Sequence, residues 1–188
     1  MNLDDLVARV NSDLVGNLAN LASRSAPMVR KKLEGRLGRL SAEGRELVAL
    51  LQKEEAIISQ AYEERRYAEV VRRICGLADD VNRYYDRRKP WGAIKDDPEH
   101  ARETLTTGLN AVRILAIYLK PILPGFVAKI ERMLGVAPLT WADVETVLEE
   151  HEIGEFERLV ERVDPERVQA MVEDSKHCLL YTSDAADE

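Results

Sequence analysis

Residues 105–135, LTTGLNAVRILAIYLKPILPGFVAKIERMLG, decide the fold. Leu105, Leu109, Val112, Leu115 and Leu119 recur at threes and fours, the 3.6-residue period of a helix with one apolar face. Pro121 and Pro124 end that run, because proline lacks the N–H and the room that a helix interior needs. Phe126, Ile130 and Leu134 resume the period in a shorter helix that Gly135 closes. The same period runs outward through the chain. Leu3, Leu6, Val10, Leu14, Leu18 and Leu21 mark a first helix, with Asp4 and Asp5 at its positive end; Pro27 disturbs it, and Gly35 and Gly38 mark a loop. Ser41 caps a second helix carrying Leu47, Leu50, Leu51, Ile57, Ile58, Ala61 and Tyr62 to a tight turn at 65–67. A third, with Val70, Ile74, Leu77, Val81 and Tyr84 inward, stops at Lys89, since the residue before a proline is pushed out of the α region. Thr140 caps a short helix over 141–148, and Pro165 opens a last one with Val168, Met171 and Val172 inward. No segment has the strand period. The expectation is an all-α fold, an antiparallel helix bundle with short connections.

Composition narrows the function. Hydrophobic residues make up 45% and charged residues 32%, a balance that fits a packed helical domain and excludes a disordered chain or a fibre. Apolar runs such as 114–118 are too short to cross a bilayer, and the opening MNLDDLVARV has no secretory pattern. The last eleven residues, CLLYTSDAADE (178–188), resemble the translation of a transposon-type sequencing-library adapter, so they are read as non-native and 1–177 as the domain. Without them Cys75 stands alone. A lone cysteine makes neither a disulfide framework nor a zinc knuckle and suits a reducing cytoplasm, and no metal is expected. The net charge of −7 hides a strong asymmetry. Between Ala22 and Leu40, Arg24, Arg30, Lys31, Lys32, Arg36 and Arg39 face Glu34 alone; from Trp141 to Ser175, twelve acids face Arg158, Arg162 and Arg167. Local sign, not net charge, decides where a phosphate backbone docks.

Two constellations stand out. Asp13, Asn17, Asn20 and Arg24 follow one another by three or four, along one stripe of the first helix beside its leucines. Asparagine is a poor helix former, so two in mid-helix need a reason: either hydrogen bonds between helices or an amide and guanidinium set for base edges. The second is VNRYYDRRKPW, residues 81–91. Here Pro90 ends a helix and Trp91 follows at once, as a buried core residue or as a platform on which an unpaired base stacks.

Together NSDLVGNLANLASR (11–24) and NRYYDRRKPW (82–91) resemble the anticodon-binding helical domain of class I aminoacyl-tRNA synthetases. Four further stretches narrow the resemblance to the methionyl-tRNA synthetase family: YLKPILPGFVAKIERMLG (118–135), LTW (139–141), HEIGEFERLVERVD (151–164) and VQAMVEDSK (168–176) lie in the family's order, and the likeness extends over residues 3–177. The resemblance implies that Asn20 and Arg24 contact anticodon bases, that Trp91 stacks on the first of them, and that Asp86 and Pro90 shape the same pocket. Arg87, Arg88 and Lys89 make the rim more basic than the family pattern and, with Lys31 and Lys32, are candidates for phosphate contacts. The implied partners are initiator and elongator methionine tRNA and a catalytic domain upstream, with neither membrane nor DNA. ATP and Mg belong to that catalytic domain, whose HIGH-type and KMSKS motifs do not occur here, so the chain by itself is expected to catalyse nothing. His100 reads as a loop residue, and His151 matches a family position without a catalytic or metal partner. A helical scaffolding bundle, or the equivalent domain of another class I synthetase, remains open at this point.

Overall fold

The segment Pro98–Leu119 forms the axis of the molecule, and from Thr104 onward every residue of it is buried. A helix buried all round must satisfy its polar side chains internally, and this one does so at every buried side-chain nitrogen and oxygen but the Arg113 Nε. Thr104, Thr106 and Thr107 donate back to the carbonyls of His100, Arg102 and Glu103, and Thr106 also accepts from the Gly38 N–H at 2.9 Å. The computed structural model describes residues 18–159. The predicted stripe through Leu3, Leu6, Val10 and Leu14, the helix after Pro165 and the tail at 178–188 lie outside the described residues.

In chain order the helices are α1 (Asn20–Lys32), α2 (Ala42–Lys53), α3 (Glu55–Glu63), α4 (Tyr67–Arg88), the single turn α5 (Pro90–Ala93), α6 (Pro98–Leu119) and α7 (Pro124–Leu134). A 3-10 turn, Trp141–Asp143, follows, and no strand forms among the described residues. Helix α4 runs antiparallel to α6: Tyr85 sits over Gly108, the Arg88 side chain meets Thr104, and the Arg88 carbonyl meets His100. Helix α2 instead runs parallel to α6, with Gly44 against Thr107 and the Leu51 carbonyl accepting from the Tyr118 hydroxyl at 2.9 Å. A Cβ on Gly44 would lie 2.3 Å from the Thr107 hydroxyl oxygen, so glycine is what lets α2 approach.

Four local expectations are corrected. The helix from Ser41 to Tyr62 is two helices, because the ladder breaks at Glu54, whose carboxylate pairs with Arg73 across the α3–α4 hairpin at 2.9 Å. Pro27 lies within α1 and does not end it. His100 belongs to the first turn of α6 and not to a loop. The helix expected over 141–148 stops at Asp143. Thr140 and Asp143 do form a capping box there, but Arg113 and Asn110 of α6 take the carbonyls that would have propagated the helix. Arg113 donates to the carbonyls of Asp143 (2.5 Å), Val144 (3.3 Å) and Thr146, while Asn110 donates to the Leu148 carbonyl and accepts its N–H. Burial of the Arg113 guanidinium lowers its pKa to about 10, with the Asp143 carboxylate opposing in part.

Candidate nucleic-acid interface

Helices α1 and α4 bring the two sequence constellations to one place on the surface. At the end of α4, Lys89 takes a left-handed conformation (φ 45°, ψ 56°), with its N–H on the Tyr85 carbonyl at 2.7 Å. The preceding-proline rule explains the break. The left-handed turn, rather than an extended one, is held by the His100 ring on the Arg88 carbonyl at 3.0 Å. Pro90 is then buried as the first residue of α5, and Trp91 emerges 37% exposed. The Arg24 guanidinium lies over the Trp91 ring, 4.1 Å from its centroid, a cation–π contact between residues of different helices. Asn20, one turn before Arg24 on α1, is also exposed. Among the described residues neither Asn20 nor Arg24 spends its side chain on a hydrogen bond to another helix. Asp13 and Asn17 of the same stripe lie outside the described residues.

The ring of Trp91 rests on a built support. Tyr85 meets it edge-on, centroids 6.1 Å apart and planes at 87°. Tyr85 is itself buried, and its hydroxyl lies 2.6 Å from the Ser25 hydroxyl of α1. Burial pushes the Tyr85 phenol well above its ordinary pKa, with the Ser25 hydrogen bond opposing in part. Sequence reasoning missed Tyr85, Ser25 and Gly108. The available signal was Gly108 itself, a residue that costs about 1 kcal/mol in mid-helix relative to alanine and so asks for a packing reason.

The remaining candidates divide by their partners. Asp86 is exposed on the last turns of α4. Arg87 pairs with Glu43 at 2.9 Å, and Arg88 lies 3.9 Å from Glu43 and 3.5 Å from Glu103. Lys31, Lys32 and Lys89 are exposed and form no ion pair among the described residues. The basic run seen in the sequence is therefore only partly available. Arg30, Arg39 and Arg45 meet Glu152, Glu150 and Glu149, because the acidic segment returns along the loop after α1 and forms a bridge between Arg36 and Glu152. Among the described residues no three His, Cys, Asp or Glu side chains converge to hold a metal. His151 gives its ring nitrogen to the Leu134 carbonyl at 2.7 Å. No described helix is long and apolar enough to cross a membrane.

Comparison with known proteins agrees over most of the chain. Residues 36–174 match the model of the anticodon binding domain of methionyl tRNA ligase. A methionine–tRNA ligase of Bdellovibrio bacteriovorus is 43% identical over 176 residues, which is 94% of this chain and 26% of that protein. One from Chromobacterium violaceum is 43% identical over 187 residues, 98% of this chain and 27% of the relative. The chain thus spans about a quarter of the length of these relatives. Among solved structures, the free form of Mycobacterium tuberculosis methionyl-tRNA synthetase superposes with a TM-score of 0.81 at 27% identity, covering 88% of this chain and 35% of that one. The complex of that enzyme with methionyl-adenylate gives 0.74 at 28% identity, over 80% of this chain and 31% of the other. With a helical fold and a family model matched from Arg36 to Asp174, this chain belongs to the anticodon-binding domain family of methionyl-tRNA ligases.

Proposed function

We propose that this chain reads the anticodon of methionine tRNA, initiator and elongator alike, as the C-terminal part of a cytoplasmic methionine–tRNA ligase. Its catalytic domain, lying upstream, would use ATP and Mg to activate methionine and transfer it to the tRNA. Here the chain supplies recognition and no chemistry, and binding energy collected at the anticodon is spent at a distant reacting centre. In the same reading residues 1–177 are the recognition unit and 178–188 are adapter-derived.

The observation that carries the reading is the meeting of Arg24 and Trp91 at 4.1 Å on an open surface. An unpaired base stacking on the indole gains roughly 1–3 kcal/mol. It takes the ring face that the guanidinium now covers and releases Arg24, with Asn20 beside it, for the base edge. Asp86 and Pro90 shape the pocket wall. Lys31, Lys32 and Lys89 offer charge to the phosphates, whereas Arg87 and Arg88 must first exchange Glu43 and Glu103 for them. The test is a binding titration with a methionine anticodon stem-loop and with stem-loops changed one anticodon base at a time. Discrimination of roughly 1–3 kcal/mol at one base, relaxed by Arg24→Ala, supports the reading. Equal affinity for every anticodon contradicts it.

A further inference from the structure

We infer that Tyr85 is a positioning residue, a latch that fixes the separation of Trp91 from the α1 turn carrying Asn20 and Arg24. The inference rests on the anticodon reading above and adds to it the device that sets the spacing.

Three observations converge. The Ser25 hydroxyl donates to the Leu21 carbonyl at 2.6 Å, so its single proton is committed to its own helix. The Tyr85 phenol, 2.6 Å from the same oxygen, must therefore be the donor to it. This produces a directed chain from phenol to serine to carbonyl, and it grips α1 at the turn from Leu21 to Ser25, which follows Asn20 and includes Arg24. Second, the other end of the same side chain touches the platform: the ring supports Trp91 edge-on at 6.1 Å. Third, α6 makes the seat. A Cβ on Gly108 would lie 1.7 Å from the phenol oxygen, so no larger residue leaves the hydroxyl in place. Burial raises the phenol's pKa, so it remains a donor at any working pH. Any buried tyrosine needs a partner for its hydroxyl; what a core filler would not need is for that partner to lie on α1 while the ring supports Trp91.

The test compares Tyr85→Phe, Ser25→Ala, the double variant and Trp91→Ala in the whole chain, at a temperature where urea curves show each folded. Affinity for a labelled methionine anticodon stem-loop should fall about three- to tenfold in either single latch variant, the worth of one hydrogen bond. The double variant should be no weaker than the singles, since one latch is broken in each. With 5-fluorotryptophan incorporated, the resonance of Trp91 should shift or broaden in Tyr85→Phe while that of Trp141 stays. If both single variants bind within about twofold of the parent while Trp91→Ala weakens, the latch is refuted and the platform stands. Losses that multiply in the double variant also refute it. Unaltered binding by Trp91→Ala removes the platform, and the latch with it.

Discussion

The molecule builds the same three residue types, arginine, tryptophan and tyrosine, into two sites and uses them in opposite ways. On one side Arg24 lies over Trp91, which Tyr85 supports edge-on. On the other Trp141 packs between Tyr62 and Tyr118, at 6.1 and 5.4 Å, and Arg113 of α6 holds the segment that follows it. The difference is where the arginine's donors go. Arg113 spends its terminal nitrogens on the carbonyls of Asp143, Val144 and Thr146, and so fastens the returning segment to the axis helix. Arg24 makes no hydrogen bond among the described residues, and Trp91 keeps a solvent-facing ring. Composition does not separate a clamp from a reading head; the bookkeeping of donors does.

Breaking the clamp should give the largest effect. Arg113→Met removes three charge-assisted hydrogen bonds to carbonyls. The carbonyl of Asp143 keeps the Thr146 N–H and that of Val144 the Gln52 amide, but that of Thr146 loses its donor. The expected loss is roughly 3–5 kcal/mol in urea unfolding. Trp141→Ala should cost roughly 3 kcal/mol by the same measurement, as for a large aromatic removed from a packed cluster. The fraction still folded should bind the stem-loop as the parent does. Weakened anticodon discrimination in that folded fraction would erase the division between the two sites.

Charge sharpens the comparison at smaller scale. Among the described residues Lys31 and Lys32 are unpaired, whereas Arg39 and Arg45 meet Glu150 and Glu149 at 3.3 and 2.8 Å. Replacing either lysine by glutamine should weaken all stem-loops alike and lower the slope of log affinity against log salt by about 0.7–0.9. The same change at Arg39 or Arg45 should leave that slope as it is. Equal slopes in all four variants would mean that ion pairing within the fold has no bearing on phosphate contact.

The smallest expected effect is one of pH. Hydrogen bonds from Thr140, side chain and then backbone, hold the Asp143 carboxyl below its ordinary value of 3.8, with Arg113 and Lys120 adding to the shift. A depressed carboxylate pKa contributes stability that is complete above the unfolded value and disappears as pH falls through the folded one. Urea midpoints measured from pH 6 downward should therefore fall more steeply below about pH 4 for the parent than for Asp143→Asn. Parallel curves would show that the capping box does not depend on the charge.

The helix period made the bundle legible, because buried leucines at threes and fours leave no other economical packing. It also gave the platform's ingredients: Pro90 had to end α4 and leave Trp91 beyond it. What the period could not give was pairing between elements distant in sequence. Nothing in the sequence joined Tyr85 to Ser25, since tyrosine and serine in helices are ordinary and only their contact gives them meaning. The short helix expected after Thr140 failed for the same reason. Its local signals were correct, but Arg113 and Asn110, which the apolar period passes over, take the carbonyls of the local ladder from another helix. Nor could the basic run be priced until the acidic segment was found lying along it.

Trp91→Ala, followed by urea unfolding and by stem-loop binding in the same preparation, tests the assignment most directly. A half-covered surface indole should cost roughly 1 kcal/mol of stability or less, while stem-loop affinity falls by roughly 1–3 kcal/mol for the lost stacking surface. A stability loss of roughly 3–5 kcal/mol with affinity unaltered is the behaviour of a core tryptophan, and it would contradict the platform.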